Sequence, residues 1–332
     1  MIVLAVFAIL GIAAFALEGR LSLLGLKNDR FQEEEDEEPD EGTITLGDEE
    51  YLINDRYETF LFMGTDASGN ENAIGKDYVG SLADFLLLMV INHTDKTYAF
   101  LPLDRNTMAD VSAIDKDGTG EELYFEQQLC TAHWYGGNKE MSCKNTVLAV
   151  SNYLGELNID GYYAISMTEI PRINHGIGGV TVTLTDDFSK KDPAMKKGAT
   201  LNLTDRQAEI YVRSRMEMSD DTNKNRMNRQ MTYMKAAMKK VEGKLKEDPD
   251  YINEASEEFA DVATSGINGR QKSHIANAMA EYDYKGMYNI EGKVTLGDTF
   301  DDGEEHEEFR SDPDSLLSVM TELYKLEKNK DD

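Results

Sequence analysis

Basic residues are in short supply in this chain. Its 332 residues carry 34 Lys and Arg against 63 Asp and Glu, a formal net charge of −29. Nucleic-acid binding draws on a cationic face that displaces counterions from phosphates, so this balance argues against a nucleic-acid partner. An acidic surface is also a plain solubility feature. Any phosphate ligand would need a local cationic pocket set against that global field. Cysteine is limited to Cys130 and Cys143, and no CxxC or Cys/His spacing suggests zinc. In an oxidising compartment the two could close a short disulfide loop; two free thiols are the equal alternative. Internal repeats are missing, as is any long Pro- or Ser-rich linker after residue 55. The lack of a helix-turn-helix pattern weighs against a transcription regulator.

One long uncharged run is present, MIVLAVFAILGIAAFAL at residues 1–17. At a helical rise of about 1.5 Å per residue it reaches roughly 25 Å, slightly short of a bilayer core. We read residues 1–26 as an uncleaved, single-pass signal anchor in the cell membrane. A cleaved signal peptide is the competitor, but it lacks a basic n-region and a clear cleavage site. Arg20, Lys27 and Arg30 all follow the run, so charge bias does not set its orientation. Residues 27–56 are then an acidic linker, and FQEEEDEEPDEGTITLGDEE reads as an extended stalk because like charges repel and little apolar surface is on offer.

The folded part begins near Tyr57. YETFLFMG is a short apolar strand ending in the turn Gly64-Thr65-Asp66. ADFLLLMVINH is a run fit for a central strand buried on both faces, and TYAFLPL pairs with it across the turn at His93–Lys96. Residues 144–156 have helical spacing, VTVTL is a further strand, and TDRQAEIYVRSR is a helix with Thr204 as N-cap. A long helix covers about 225–246, with Met227, Met231, Met234, Met238, Val241 and Leu245 on one stripe. SHIANAMAEY and DSLLSVMTELYKL are helical, GKVTL is a strand, and DDGEEHEE is an acidic loop. The mixed order predicts one α/β sandwich-like domain, with a core at 57–246 and a continuation at 247–332.

Twelve arginines are present, and five of them lie between Arg206 and Arg229. Arg213 and Arg215 sit near the end of one predicted helix; Arg226, Arg229 and Gln230 open the next. Arg226 and Gln230 lie within about 40° of each other on a helix and border the methionine stripe. A guanidinium fork donates two parallel hydrogen bonds to phosphate, and a helix start adds free N–H groups. Surface salt bridges are the competing reading of the same spacing. The carboxylates supply the complement. Asp66 ends the first core strand, and Asp84 starts the second, where a charge must be paired or metal-bound. Two acids meeting at one sheet edge could hold Mg2+; turn or cap roles are the alternative. Asp104-Arg105-Asn106-Thr107 follows the third strand, where Arg105 could reach the same site.

The succession GTDAS, GSLADFLLLMVIN, LPLDRNT, AHWYGG, INHGIGGVTVTL, AEIYVRSR and NRMNRQ resembles the LytR–CpsA–Psr family over about residues 57–246, and more loosely to about 325. The resemblance implies an α-β-α sandwich-like domain with a mixed central sheet and a hydrophobic lipid groove, held outside the cell by one N-terminal membrane span. It implies a Mg2+-dependent phosphotransferase that moves a glycopolymer from a polyprenyl-pyrophosphate donor to a peptidoglycan acceptor, with a pyrophosphatase side activity. Carried over, Asp66 and Asp84 would hold the metal, and Asp66, Asp104 and Arg105 would be catalytic. Arg105, Arg213, Arg215, Arg226, Arg229 and Gln230 would bind the pyrophosphate head. The family's text carries Arg where this chain has Ser68 and Leu82, Thr where it has Phe85, Asp where it has Asn106, and an acid where it has His175. A polyprenyl-phosphate or glycan-binding surface protein without transfer activity is the alternative function.

Overall fold

The computed structural model of the chain describes residues 42–66, 80–112, 124–214, 223–247, 262–299 and 303–329. The expected anchor at 1–26 falls outside them. Among the described residues no helix is long and apolar enough to cross a membrane.

In chain order, β1 (Gly42–Leu46) and β2 (Glu49–Ile53) form an antiparallel hairpin, followed by β3 (Tyr57–Thr65), β4 (Ala83–Asn92) and β5 (Thr97–Leu103). β6 (Met108–Ser112) pairs with β7 (Tyr124–Gln128), and a 3₁₀ turn at Leu129–His133 leads to helix α1 (Lys139–Tyr153). Next come β8 (Gly161–Ser166), α2 (Ile170–Gly176), the short pair β9 (Thr181–Thr183) and β10 (Thr200–Asn202), then α3 (Asp205–Arg213) and α4 (Asn223–Glu247). The last part holds β11 (Ala263–Ser265), α5 (Gly269–Glu281), β12 (Asp283–Met287), the hairpin β13 (Gly292–Gly297) and β14 (His306–Ser311), α6 (Pro313–Tyr324) and β15 (Glu327–Lys328).

The central sheet has six strands in the order β11-β8-β3-β4-β5-β12. It is mixed: β4 runs antiparallel to β3 and β5, while β3 pairs with β8, and β5 with β12, in parallel. All ten residues of β4 are buried. Phe85, Leu87, Met89 and Ile91 face a core shared with α2, α3, α4 and α5. Leu86, Leu88 and Val90 face a second core, shared with α1 and α6. A strand covered on both faces needs apolar side chains at every position, and this is why ADFLLLMVIN reads as an unbroken run. The result is the expected helix–sheet–helix layering.

Two expectations are corrected. Residues 42–53, assigned to the acidic stalk, form the β1–β2 hairpin, and β2 also pairs with β15 at the end of the chain. Thr43 and Thr45 are exposed on β1 and Asp48 sits in the turn, while Ile44, only 1% exposed, and Ile53 plug into the core that α6 covers. The alternation of apolar and polar residues carries the strand signal, and the net charge of the segment masks it. The methionine stripe of α4 is also only partly core. Met231 and Met234 are buried with Tyr233 and Ala237, whereas Met227 lines an open cleft beside Asp104. VTVTL is a strand as expected, but β9 sits in its own two-stranded ladder with β10.

Removing the Ile44 side chain beyond Cβ should therefore destabilise the folded protein. Ile44→Ala is expected to cost about 2–4 kcal/mol in denaturant unfolding. A loss below about 0.5 kcal/mol would show that the hairpin behaves as a solvated linker.

Candidate active site

Strand direction assembles the site. Because β4 is antiparallel to both neighbours, the end of β3, the start of β4 and the end of β5 lie at one edge of the sheet, as the pairings Thr65↔Ala83 and Leu86↔Leu103 record. Asp66, Asp84, Asp104 and Arg105 are thus collected from three separate stretches of sequence. The Asp66 N–H donates to the Leu82 carbonyl at 2.8 Å, which ties the β3 exit to the β4 entry.

Asp84 is 5% exposed and lies between two arginines that are equally buried, Arg105 and Arg226. The Arg105 Nη1 donates to Asp84 Oδ1, and the Arg226 Nη1 stands 3.7 Å from Oδ2. A buried carboxylate is tolerated only when paired, and here two guanidiniums share it. The Arg105 Nη2 donates to Cys130 Sγ at 3.0 Å, and the Cys130 N–H donates to the Arg105 carbonyl, also at 3.0 Å. Burial opposes the charge on Arg105, but Cys130, Asp84 and Asp104 around it outweigh that and hold its pKa above the ordinary value.

The opening of the site is lined by a second pair. Arg213, in the last turn of α3, is held by Glu209 at 2.6 Å, and its Nη2 lies 3.7 Å from Asp66 Oδ1. Both Arg213 and Asp66 remain about a quarter exposed. Helix α3 is started by a capping box between Thr204 and Gln207, as the sequence predicts for Thr204. Asp104 accepts the Asn106 N–H at 2.9 Å and lines a cleft of about 170 Å³ with Tyr153, Met227 and Phe309.

The remaining predicted residues stand behind this front. Gln230 is buried and its Nε2 donates to the Val212 carbonyl at 3.4 Å. Arg229 donates to the carbonyls of Tyr211 and Ser214 and to Asp186 at 3.0 Å, with its guanidinium 5.6 Å above the Phe188 ring. It thereby satisfies buried carbonyls that the end of α3 leaves without a helical partner, a capping role. Arg215 and Ser68 lie outside the described residues. His175 is exposed and pairs with Asp205 at 3.2 Å, at the opposite end of α3 from Arg213.

Sequence reasoning missed the supports. Cys130 and Cys143 are both free and buried, so the disulfide alternative is not realised. The first underlies Arg105; the second lies 3.8 Å from His133 Nε2. His133 Nδ1 is 2.7 Å from the Ser81 carbonyl, just before Asp84. A carbonyl only accepts, so Nδ1 carries the proton and Nε2 is left to accept from the thiol. The AHWYGG segment was the available signal, since a polar ring inside an apolar stretch demands partners. Asn106 reaches across to Glu307 on β14 at 3.1 Å, a contact that no local pattern announces.

Burial holds the His133 pKa down to about 4, against an ordinary 6.5. The unfolded chain therefore takes up this proton first, and the stabilisation is complete above pH 6.5 and is lost as pH falls toward 4. Between pH 7.5 and 4.5 this group should remove about 2–3 kcal/mol of stability, and His133→Gln should flatten that part of the profile. Urea unfolding of both proteins at the two pH values measures it. Equal slopes would show that His133 is not buried in its neutral form.

Residues 24–286 match the LytR_cpsA_psr family. Biofilm regulatory protein A of Streptococcus mutans is 25% identical over 190 residues, which are 55% of this chain and 44% of that relative, so the match spans less than half of its length. Among solved structures, Bacillus subtilis TagV is 20% identical with a TM-score of 0.56 over 81% of this chain and 96% of its own. TagT bound to LIIa-WTA is 19% identical, with a TM-score of 0.56 over 81% of this chain and 90% of its own. These likenesses reach the six-stranded mixed sheet and the layers on it, and the family match takes in all the arginines and acids gathered at its edge. On that span the chain belongs to the LytR_cpsA_psr family.

Proposed function

We propose that this protein is a Mg2+-dependent phosphotransferase that moves a glycopolymer from a polyprenyl-pyrophosphate donor to a hydroxyl of peptidoglycan. The observation that carries the reading is the Asp84 carboxylate shared by Arg105 and Arg226 at the sheet edge. In a chain of net charge −29 this gathers buried guanidiniums at one place, and guanidinium forks suit phosphate oxygens. Family membership and the solved structure of TagT with LIIa-WTA support the same reading.

In the proposed reaction the acceptor hydroxyl forms a new P–O bond to the sugar-bearing phosphorus as the bond to the departing polyprenyl phosphate breaks. Arg105, Arg226 and Arg213 neutralise the charge that grows on the leaving group, and buried guanidiniums do so without reorganisation. Asp104, in the open cleft, takes the proton from the acceptor hydroxyl. Asp66 and Asp84 suit Mg2+, since this ion takes one or two carboxylates and completes its shell with phosphate oxygens and water. Asp66 offers the accessible oxygen and Asp84 the buried one. Bound there, the ion would supply charge neutralisation at the phosphates. The prenyl chain would lie along the face shared with α3 and α4, and the apolar run at 1–17 would keep the domain at the outer membrane surface, where its donor resides. Leu82 and Asn106, in place of the family's Arg and Asp, favour the second reading, a binder of polyprenyl phosphate or glycan that does not transfer.

The test uses the purified full chain with a polyprenyl-pyrophosphate-linked oligosaccharide, peptidoglycan fragments and Mg2+. Wild type should transfer label to the fragments, and EDTA should abolish this until Mg2+ is restored. Arg105→Ala and Arg226→Ala should each lower turnover by about 10²–10³-fold. Donor bound without any transfer would overturn the enzyme reading in favour of the binder.

A further inference from the structure

At the opposite end of the sheet a different cluster stands unused by this chemistry. Glu58 opens β3, His93 follows β4 immediately, and His274 lies on α5. The ligating atoms of all three lie within 4.8 Å of one another. His93 Nε2 is 2.7 Å from Glu58 Oε2, and His274 Nδ1 is 2.8 Å from the same oxygen. Nine residue steps along β4 separate His93 from Asp84, roughly 30 Å at the usual rise, so the two clusters are independent.

We propose that Glu58, His93 and His274 form a binding site for a zinc-class divalent cation that clamps α5 onto the central sheet. Two imidazoles and one carboxylate are the donor set that borderline divalent transition ions favour, whereas Mg2+ and Ca2+ take oxygen. Bound at about 2.0–2.2 Å, ligand atoms around a tetrahedral ion stand about 3.3 Å apart. The two Glu58–His spacings need to open by only about half an ångström to accept one. The rest of the surroundings is that of a held site. His93 Nδ1 lies 3.2 Å from the Tyr282 hydroxyl, which orients the ring so that Nε2 faces Glu58. The His93 backbone N–H donates to the Arg56 carbonyl at 2.9 Å, so two of the three ligands sit on hydrogen-bonded neighbouring strands. The third is set by the start of α5, where Asn268 and Gln271 form a capping box and Gln271 Nε2 donates to the Asp160 carbonyl at 2.7 Å. The side chains are 12–23% exposed, which leaves a path for an ion and a fourth position for water.

Zn2+ titrated into the purified full chain by calorimetry, with Co2+ absorption as a second readout, tests the proposal. One equivalent should bind with micromolar affinity or better, excess Mg2+ should not compete, and the melting temperature should rise with Zn2+. His274→Ala and the near-isosteric Glu58→Gln should each weaken binding at least about tenfold, and circular dichroism checks that both fold. Neither residue belongs to the phosphate site, so transfer activity should be kept in both. Failure of wild type to bind one equivalent, or undiminished binding in either variant, overturns the proposal whatever the outcome of the transfer assay.

Discussion

The pairing of the Asp84 carboxylate with Arg105 and Arg226 is the constraint on which the site rests. A carboxylate at the first turn of a strand buried on both faces has no water to solvate it, and it persists because two guanidiniums surround it. The three residues come from the start of β4, the exit of β5 and the first turns of α4. Their contact therefore locks a helix of the outer layer to the edge of the central sheet. Two guanidiniums are thereby gathered in a shielded place within a strongly acidic protein.

Around that pairing the structure spends much of its polar hydrogen bonding on holding backbone. Cys130 exchanges contacts with both the side chain and the carbonyl of Arg105. His133 fixes the entry to β4 through Ser81, and Asn106 ties the exit of β5 to β14. Arg229 closes the carbonyl end of α3 and so sets where Arg213 projects. Each of these contacts restricts a segment that leads into or out of the Asp84 cluster. Geometry held this tightly is what the proposed transfer would require, since electrostatic catalysis needs donors that already point at the developing charge.

Much of the fold was legible in the chain. The unbroken apolar run of β4, the turn at His93–Lys96, the Thr204 cap and the long α4 each follow from local patterning. Among the site residues, Asp84 stood out because a lone charge at the head of a buried strand requires a partner, and Arg226 because it borders an apolar helical stripe. The β1–β2 hairpin was hidden because the acid run before it and the acids at its turn dominate the composition, while its strand character lies in the alternation of Thr and apolar residues. Arg229 looked equivalent to Arg226, three residues earlier on the same helix. A rotation of about 60° relative to that neighbour turns it toward α3 instead of Asp84.

By itself, then, the amino-acid order determined which segments are strands or helices, which faces are apolar, and that scarce arginines gather near the junction of two helices. Those properties depend on neighbours a few positions apart. Tertiary structure alone decided which arginines meet Asp84, that Cys130 supports Arg105 in place of a disulfide, and that Glu58, His93 and His274 converge at the far end of the sheet. Such contacts join residues separated by tens to hundreds of positions, and they arise only when strand order and helix docking bring those positions together.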